Sequence, residues 1–366
     1  MRRLILLVVV GCLCVAALPA RAQTDYASRL TAGDVVLRDF RFSTGETLPE
    51  LRIRYATLGK PRRDDAGRIV NAVMVLHGTG GSGRQFLQPQ FADELYGPGQ
   101  PLDLTRYYVI LPDGIGHGRS SKPSDGLRMR FPAYDYDDMV EAQRRMLVEA
   151  LGVTRLRLLL GTSMGCMHAF VWAEGHPDFL EAAMPMACLP VEIAGHNRMW
   201  RRAAMEGIRQ DPAWKDGNYT AQPMQGLRTA VSLLQIVGFA PLYLQRAYPD
   251  RASADAYIVE RIARDLQTRD ANDLLYQLES SRTYNPRPHL SRIKTPMAWV
   301  NSADDYINPS DYGIAEESAR QMPSVRYRLI PATGETRGHG THTWAKFWRQ
   351  DLIELLARTE RDEKSR

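Results

Sequence analysis

Hydrophobic positions along this chain fall into short runs separated by polar, glycine-rich turns, and the period of those runs changes with position. Over 27–60 the residues read as strands, with Leu51-Arg-Ile-Arg-Tyr-Ala-Thr-Leu58 alternating apolar and polar as a half-exposed strand does. Asn71-Ala-Val-Met-Val-Leu76 is instead continuously apolar, the mark of a strand covered on both faces of a parallel sheet. Tyr107-Tyr-Val-Ile-Leu111 is a further strand. Over 135–151, Met139, Ala142, Met146 and Ala150 form one row and Val140, Leu147 and Leu151 a second, which is the buried face of a helix that Gly152 ends. Strands are also predicted at 155–160, 180–189, 295–301 and 325–330, and a final helix over 344–358. This alternation predicts an α/β fold with a mostly parallel central sheet and helices on both faces. From 191 to 291 it breaks. Helical patterns at 198–210, 226–237, 254–268 and 271–284, without a strand, predict a helical lid inserted into a core made of 23–190 and 292–366.

The run at 155–160 enters Gly161-Thr162-Ser163-Met164-Gly165, after which the pattern turns helical. Strand, Gly-x-Ser-x-Gly, helix is the context in which a serine is lifted on a sharp turn as a nucleophile. The glycines keep side chains out of that turn, and the new helix aims unpaired N–H groups at whatever bonds to Ser163, with Met164 placed to stabilise an oxyanion. The strand at 71–76 opens into His77-Gly78-Thr79-Gly80-Gly81-Ser82-Gly83, a loop that can turn its amides inward. Thr79 is the candidate for the second oxyanion N–H, with Gly80 next. A phosphate loop is disfavoured, since no Gly-Lys-Ser/Thr follows and no Gly-x-Gly-x-x-Gly opens a helix there. His77 reads as a residue that holds the loop, and Asp113 with His117 as part of a structural turn rather than a dyad.

The acid of a serine-acid-histidine order belongs after the strand at 295–301, where Asp305 is the choice and Asp304 the reserve. The histidine belongs after the last strand. There Gly338-His339-Gly340 favours His339, while His342 reads as the residue that opens the final helix. Together Ser163, His339 and Asp305 would perform acyl transfer through a serine ester, His339 taking the serine proton and Asp305 holding its tautomer.

Composition changes the picture in its cellular setting. Of 366 residues, 44% are hydrophobic and 24% charged, which fits a soluble enzyme with a substantial core and excludes a disordered chain. Met1-Arg2-Arg3, an apolar stretch to Pro19 and Ala20-Arg21-Ala22 read as a signal peptide over 1–22, removed after Ala22, and predict a periplasmic or secreted protein without a membrane span after cleavage. Lipoprotein processing at Cys12 is the lesser alternative. Removing the leader takes three arginines and no acids from 47 basic and 42 acidic residues, so the mature chain is nearly neutral and gives no reason to expect nucleic acid. Cys166 and Cys188 remain. A disulfide is open to them in an oxidising compartment, but two buried thiols are the favoured expectation.

At these residues the chain resembles the α/β-hydrolase superfamily and, within it, the homoserine O-acetyltransferase family. The resemblance rests on Gly161 to Gly165 with Met167, on Asp211-Pro212, Gly217-Asn-Tyr219, Asp270-Ala-Asn272 and Tyr284, on Asp304-Asp305-Tyr-Ile-Asn-Pro309 and on Gly338-His339-Gly340. It implies the α/β-hydrolase fold, the acid at Asp305, the histidine at His339 and a possible homodimer formed through the lid. Two departures bear on function. Where that family carries arginines that hold the amino-acid substrate, this chain has Ala230-Val231 and Val237-Gly238-Phe239, so a substrate carboxylate would lose its guanidinium partner. The loop over 114–121 also resembles that of ordinary hydrolases rather than that of the transferases. The resulting expectation is an exported serine hydrolase acting on a small-molecule ester, with no cofactor and no metal. An O-acyltransferase with a different acceptor is the alternative, and a non-catalytic binding protein on the same fold is a further one.

Overall fold

A computed structural model describes residues 25–364; the leader, its cleavage after Ala22 and processing at Cys12 lie outside them. One sheet contains β1 (Thr31–Arg41), β2 (Thr47–Leu58), β3 (Ala72–Leu76), β4 (Tyr108–Pro112), β5 (Leu158–Thr162), β6 (Ala183–Met186), β7 (Met297–Ser302) and β8 (Val325–Ile330), in the order β1-β2-β4-β3-β5-β6-β7-β8. The first hairpin is antiparallel and joins β4 antiparallel, whereas β4, β3 and β5 to β8 run parallel. The helices are α1 (Pro89–Leu95), α2 (Tyr136–Arg145), α3 (Met164–Gly175), α4 (Gly195–Arg209), α5 (Met224–Val237), α6 (Pro241–Ala247), α7 (Arg251–Leu266), α8 (Ala271–Glu279), α9 (Ile314–Arg320) and α10 (Arg349–Lys364).

The two faces of the sheet explain the continuous apolar runs. Met74, Ile110, Leu159 and Trp299 pack with Met139 and Val140 of α2 and Phe170 and Trp172 of α3. Their chain neighbours Val73, Val75, Val109, Leu160 and Val300 point the other way, onto Phe91 and Leu95 of α1 and Leu352 and Leu355 of α10. Because successive strand residues face opposite sides, a strand covered on both must be apolar throughout.

Helices α4 to α8 lie between β6 and β7 in the sequence and have a core of their own, built on Trp200, Met205, Ile208, Leu227, Val231 and Leu274. The motifs that carry the resemblance in this segment are its internal hydrogen bonds. Asp211 accepts from the Gly226 amide at 2.8 Å, Trp214 Nε1 donates to Asn272 at 2.9 Å, and Tyr219 OH donates to Asp270 at 2.7 Å. Helix α8 fastens the segment to the loops above the sheet, where Ser124 Oγ donates to Asp273 at 2.7 Å and Gln277 donates to the Gly116 carbonyl at 2.8 Å.

Several expectations change. Helix α6 escapes the periodicity because it has seven residues and none is buried, so no apolar row marks it. The final helix begins at Arg349, not 344, because Ala345–Phe347 forms a tighter turn and the buried Trp348 donates to the His342 carbonyl at 3.0 Å. His342 therefore opens no helix; it shares the 3-10 turn Gly338–Thr343 with His339. The expectation of two buried thiols is overturned: Cys166, in the first turn of α3, and Cys188, just past β6, are joined by a disulfide with Cα atoms 5.9 Å apart. Spacing alone could not show that β6 runs beside β5, which carries its end to the start of α3. Replacing both cysteines by alanine should lower unfolding free energy by about 3 kcal/mol, the loss for opening a loop of this size, as measured by urea titration. An unchanged midpoint would show that the bond adds nothing to stability.

Candidate active site

Ser163 stands between β5 and α3 at φ 54° and ψ −111°, a conformation that side chains seldom adopt. The surrounding backbone fixes it there. Ser163 N donates to the Met186 carbonyl of β6 at 2.8 Å, and Gly165 N donates to the His77 carbonyl at 3.1 Å. A side chain at Gly161 would put its Cβ 2.0 Å from the Gly165 carbonyl oxygen, and one at Gly165 would lie 2.4 Å from that of Leu76. No rotamer relieves a clash with backbone, so the turn needs both glycines.

His339 reaches this serine from the turn after β8. Ser163 Oγ lies 2.7 Å from His339 Nε2, and His339 Nδ1 lies 2.9 Å from Asp305 Oδ2, so a neutral imidazole protonated on Nδ1 accepts from the hydroxyl and donates to the carboxylate. Asp305 is buried; burial opposes its charge, but the facing His339 and the side chain of Asn308 hold its pKa below the ordinary carboxylate value. It accepts from the Ile307 amide at 2.8 Å and from the Asn308 amide and side chain at 3.2 and 3.0 Å. Asp304 faces the other way, accepting from Ser302 Oγ at 2.5 Å, Thr336 Oγ1 at 2.7 Å and the Gly338 amide at 3.1 Å. It thus pins the turn that carries His339. His342 stands half-buried beside His339, and removal from water first, then His339, drives its pKa down to about 3, leaving it neutral.

The loop after β3 lies against the serine, with a Cβ built on Gly78 only 3.1 Å from that of Ser163. Thr79 is the next residue and Met164 begins α3, and no carbonyl of the described residues takes up either N–H. Both amides are therefore available to an acceptor beside Ser163. His77 is buried and accepts from the Gly114 amide through Nε2 at 3.0 Å, while its Nδ1 donates to Gly78 O at 2.8 Å. Asp113 accepts from the Gly83 and Arg119 amides, each at 2.9 Å, and His117 Nδ1 donates to the Ile115 carbonyl. These three residues brace the loops, as their turn-like context suggests. Among the described residues, no three His, Cys, Asp or Glu side chains converge as a metal site.

Ser163, His339, Thr79 and His342 border a cavity of about 730 Å³ that also touches α4, α5, α6 and α7. At positions other than those of the resembled family's arginines, Arg201, Arg261, Arg269 and Arg337 line the cavity. Sequence reasoning missed them because no spacing relates the lid helices to the serine. Asn308 was missed too, although an Asn three residues after an acid in a turn is a recognisable partner for that acid.

The chain matches the family model for the alpha/beta hydrolase fold over residues 71–336, which spans the serine, the acid and the lid. The chain belongs to the α/β-hydrolase family. Among known proteins it is similar to the homoserine O-acetyltransferase of Haloarcula marismortui, 32% identical over 243 residues, or 60% of this chain and 58% of that protein. The match thus spans less than two thirds of that relative. Among solved structures it shares its fold with an acetylester hydrolase from Corynebacterium glutamicum (TM-score 0.78, 20% identity, 89% of this chain and 96% of that one). It also shares it with the homoserine O-acetyltransferase from Bacillus anthracis (TM-score 0.77, 22% identity, 89% and 97%). One fold therefore hosts both transfer and hydrolysis of acyl groups, and the side chains must decide between them.

The two adjacent acids should separate under mutation. Asp305→Asn should slow reaction of Ser163 with a fluorophosphonate by about 10³-fold or more, as loss of the tautomer-holding acid does. Asp304→Ala should instead lower unfolding free energy by about 1–3 kcal/mol through loss of charged hydrogen bonds, with a much smaller effect on that rate. Equal rate losses would show that the division of labour is wrong.

Proposed function

We propose that the protein is an exported serine hydrolase that cleaves a small-molecule ester through an acyl-serine intermediate. The observation that carries this reading is the alignment Ser163 Oγ, His339, Asp305 at 2.7 and 2.9 Å on a sharp elbow, in a neighbourhood where the Thr79 and Met164 amides meet no carbonyl of the described residues. His339 removes the serine proton as Oγ attacks the ester carbonyl, and the imidazolium then gives that proton to the departing alcohol. Asp305 stabilises the cation. The Thr79 and Met164 amides take the developing oxyanion, and each such donor contributes about 3 kcal/mol to the barrier reduction. Water, activated by the same imidazole, then releases the acid.

The cavity has the size of a small-molecule site. The disulfide supports export, since such bonds persist in oxidising compartments, and water is the abundant acyl acceptor there. Among the described residues no single helix is long and apolar enough to cross a membrane. The alternative is O-acyl transfer to an acceptor other than homoserine; the similarity to homoserine O-acetyltransferases favours it as a second reading. A binding protein without activity is the weakest, because binding alone does not require a serine, a base and an acid in hydrogen-bonded series.

Ser163→Ala should abolish fluorophosphonate labelling and the burst of p-nitrophenol from p-nitrophenyl acetate; undiminished labelling would refute the assignment. In the wild-type protein, added simple alcohols should divert little of the acyl group from water. Faster turnover with acyl ester as the main product would make the protein a transferase.

A further inference from the structure

The cavity wall has an uneven charge balance: four arginines and one carboxylate, Asp265, border it. Two of the four are occupied. Arg337 lies over the Tyr243 ring, with its Cζ 3.5 Å from the centroid, and donates to the Glu335 carbonyl. Arg201 is buried, donates through Nε to Asn197 at 2.9 Å and lies over Trp200, without a carboxylate within 4 Å among the described residues. Of the other two, only Arg269 reaches an acid, and Gln235 stands between that acid and Arg261. Gln235 of α5 accepts from Arg261 Nε at 2.9 Å and donates to Asp265 at 2.7 Å, while Arg269 Nη2 lies 3.7 Å from the same carboxylate. Arg269 also leans on the loop after β3, with Nη1 3.4 Å from the Gly80 carbonyl, one residue beyond the Thr79 amide. No carboxylate of the described residues pairs with Arg261.

Resting on the proposed ester chemistry, we infer that the cavity selects esters carrying one carboxylate, which Arg261 and Arg269 bind beside the oxyanion loop. The resident trio bears a net charge of one positive unit, which suits a monoanion. A dianion such as a phosphate monoester would also bring its second charge against Asp265. Gln235 fixes the direction of Arg261 without neutralising it, so the guanidinium stays oriented and unspent. The cationic residues Arg201 and Arg337 add to the same field in a partly enclosed space, where charges are screened less than at an open surface. The arginines absent from α5 are thus replaced across the cavity by residues of α7 and the segment that follows it.

The test compares 4-nitrophenyl hydrogen adipate with its methyl ester, which places the anion on the acyl side, and acetoxyacetate with its methyl ester, which places it on the alcohol side. Wild type should prefer the anion in one pair by about tenfold in kcat/KM, chiefly through KM, and the pair that shows it identifies the side. Arg261→Gln/Arg269→Gln should bring that ratio near one, and Arg261→Lys/Arg269→Lys should restore part of it. Raised salt should shrink the wild-type ratio. Ratios at or below one in both pairs, or a preference that the glutamine variant keeps, would overturn the inference. Calorimetric titration of Ser163→Ala with the same four compounds reads binding without turnover. If wild type hydrolyses none of them, the hydrolase reading fails, while tighter binding of an anion, lost in the glutamine variant, would still uphold the carboxylate site and its absence would overturn it.

Discussion

The structure depends on a close approach of backbone to backbone at the end of β5. Gly161, Ser163 and Gly165 form a turn in which the next carbonyls occupy the space that a side chain would need, and Ser163 accepts a strained φ/ψ as the consequence. Strain of this kind persists only where the surroundings over-determine it. Here they do so through Met186 of β6 and His77 just past β3, whose carbonyls take the N–H groups of Ser163 and Gly165. The hydroxyl is consequently held outside the sheet, where residues from distant strands can reach it.

The segment just past β6 is the second shared support. Cys188 is bonded to the first turn of α3, and its carbonyl accepts from Trp299 and Asn301 of β7. The carbonyl of Ala187 accepts from Asn308, which also donates to Asp305. Serine and acid are therefore referred to one short piece of chain rather than floating on separate loops. The histidine is fixed from the other side: Asp304 holds its turn, and the lid backbone at Phe239 packs so tightly against Gly338 that a Cβ there would lie 2.6 Å from the Phe239 carbonyl. Packing of the helical segment and position of His339 are thus linked.

Much of this was legible in the sequence, for reasons that can be named. The β3, β5 and β7 runs are apolar because both sheet faces are covered, and Gly-x-Ser-x-Gly after such a run constrains backbone, not only chemistry. Asp305 and His339 could be chosen because each follows a recognisable strand. What stayed hidden depends on pairings between distant segments. The disulfide requires β6 to lie beside β5, α6 lacks a buried face, and the turn Ala345–Phe347 takes the place of helix where Trp348 enters the core. The arginines of the cavity illustrate the same limit. Loss of one helix's arginines said nothing about those on a neighbouring helix, and only the folded arrangement shows that Gln235 brings Arg261 and Asp265 into one network.

In the proposed reaction Ser163 carries the acyl group between attack and release. Rapid acid quenching during turnover of a slowly hydrolysed ester, followed by peptide mass spectrometry, tests it directly. An acyl adduct on the peptide containing Ser163 should form and decay at rates matching turnover. Turnover without any adduct, or an adduct that maps to another residue, would contradict it.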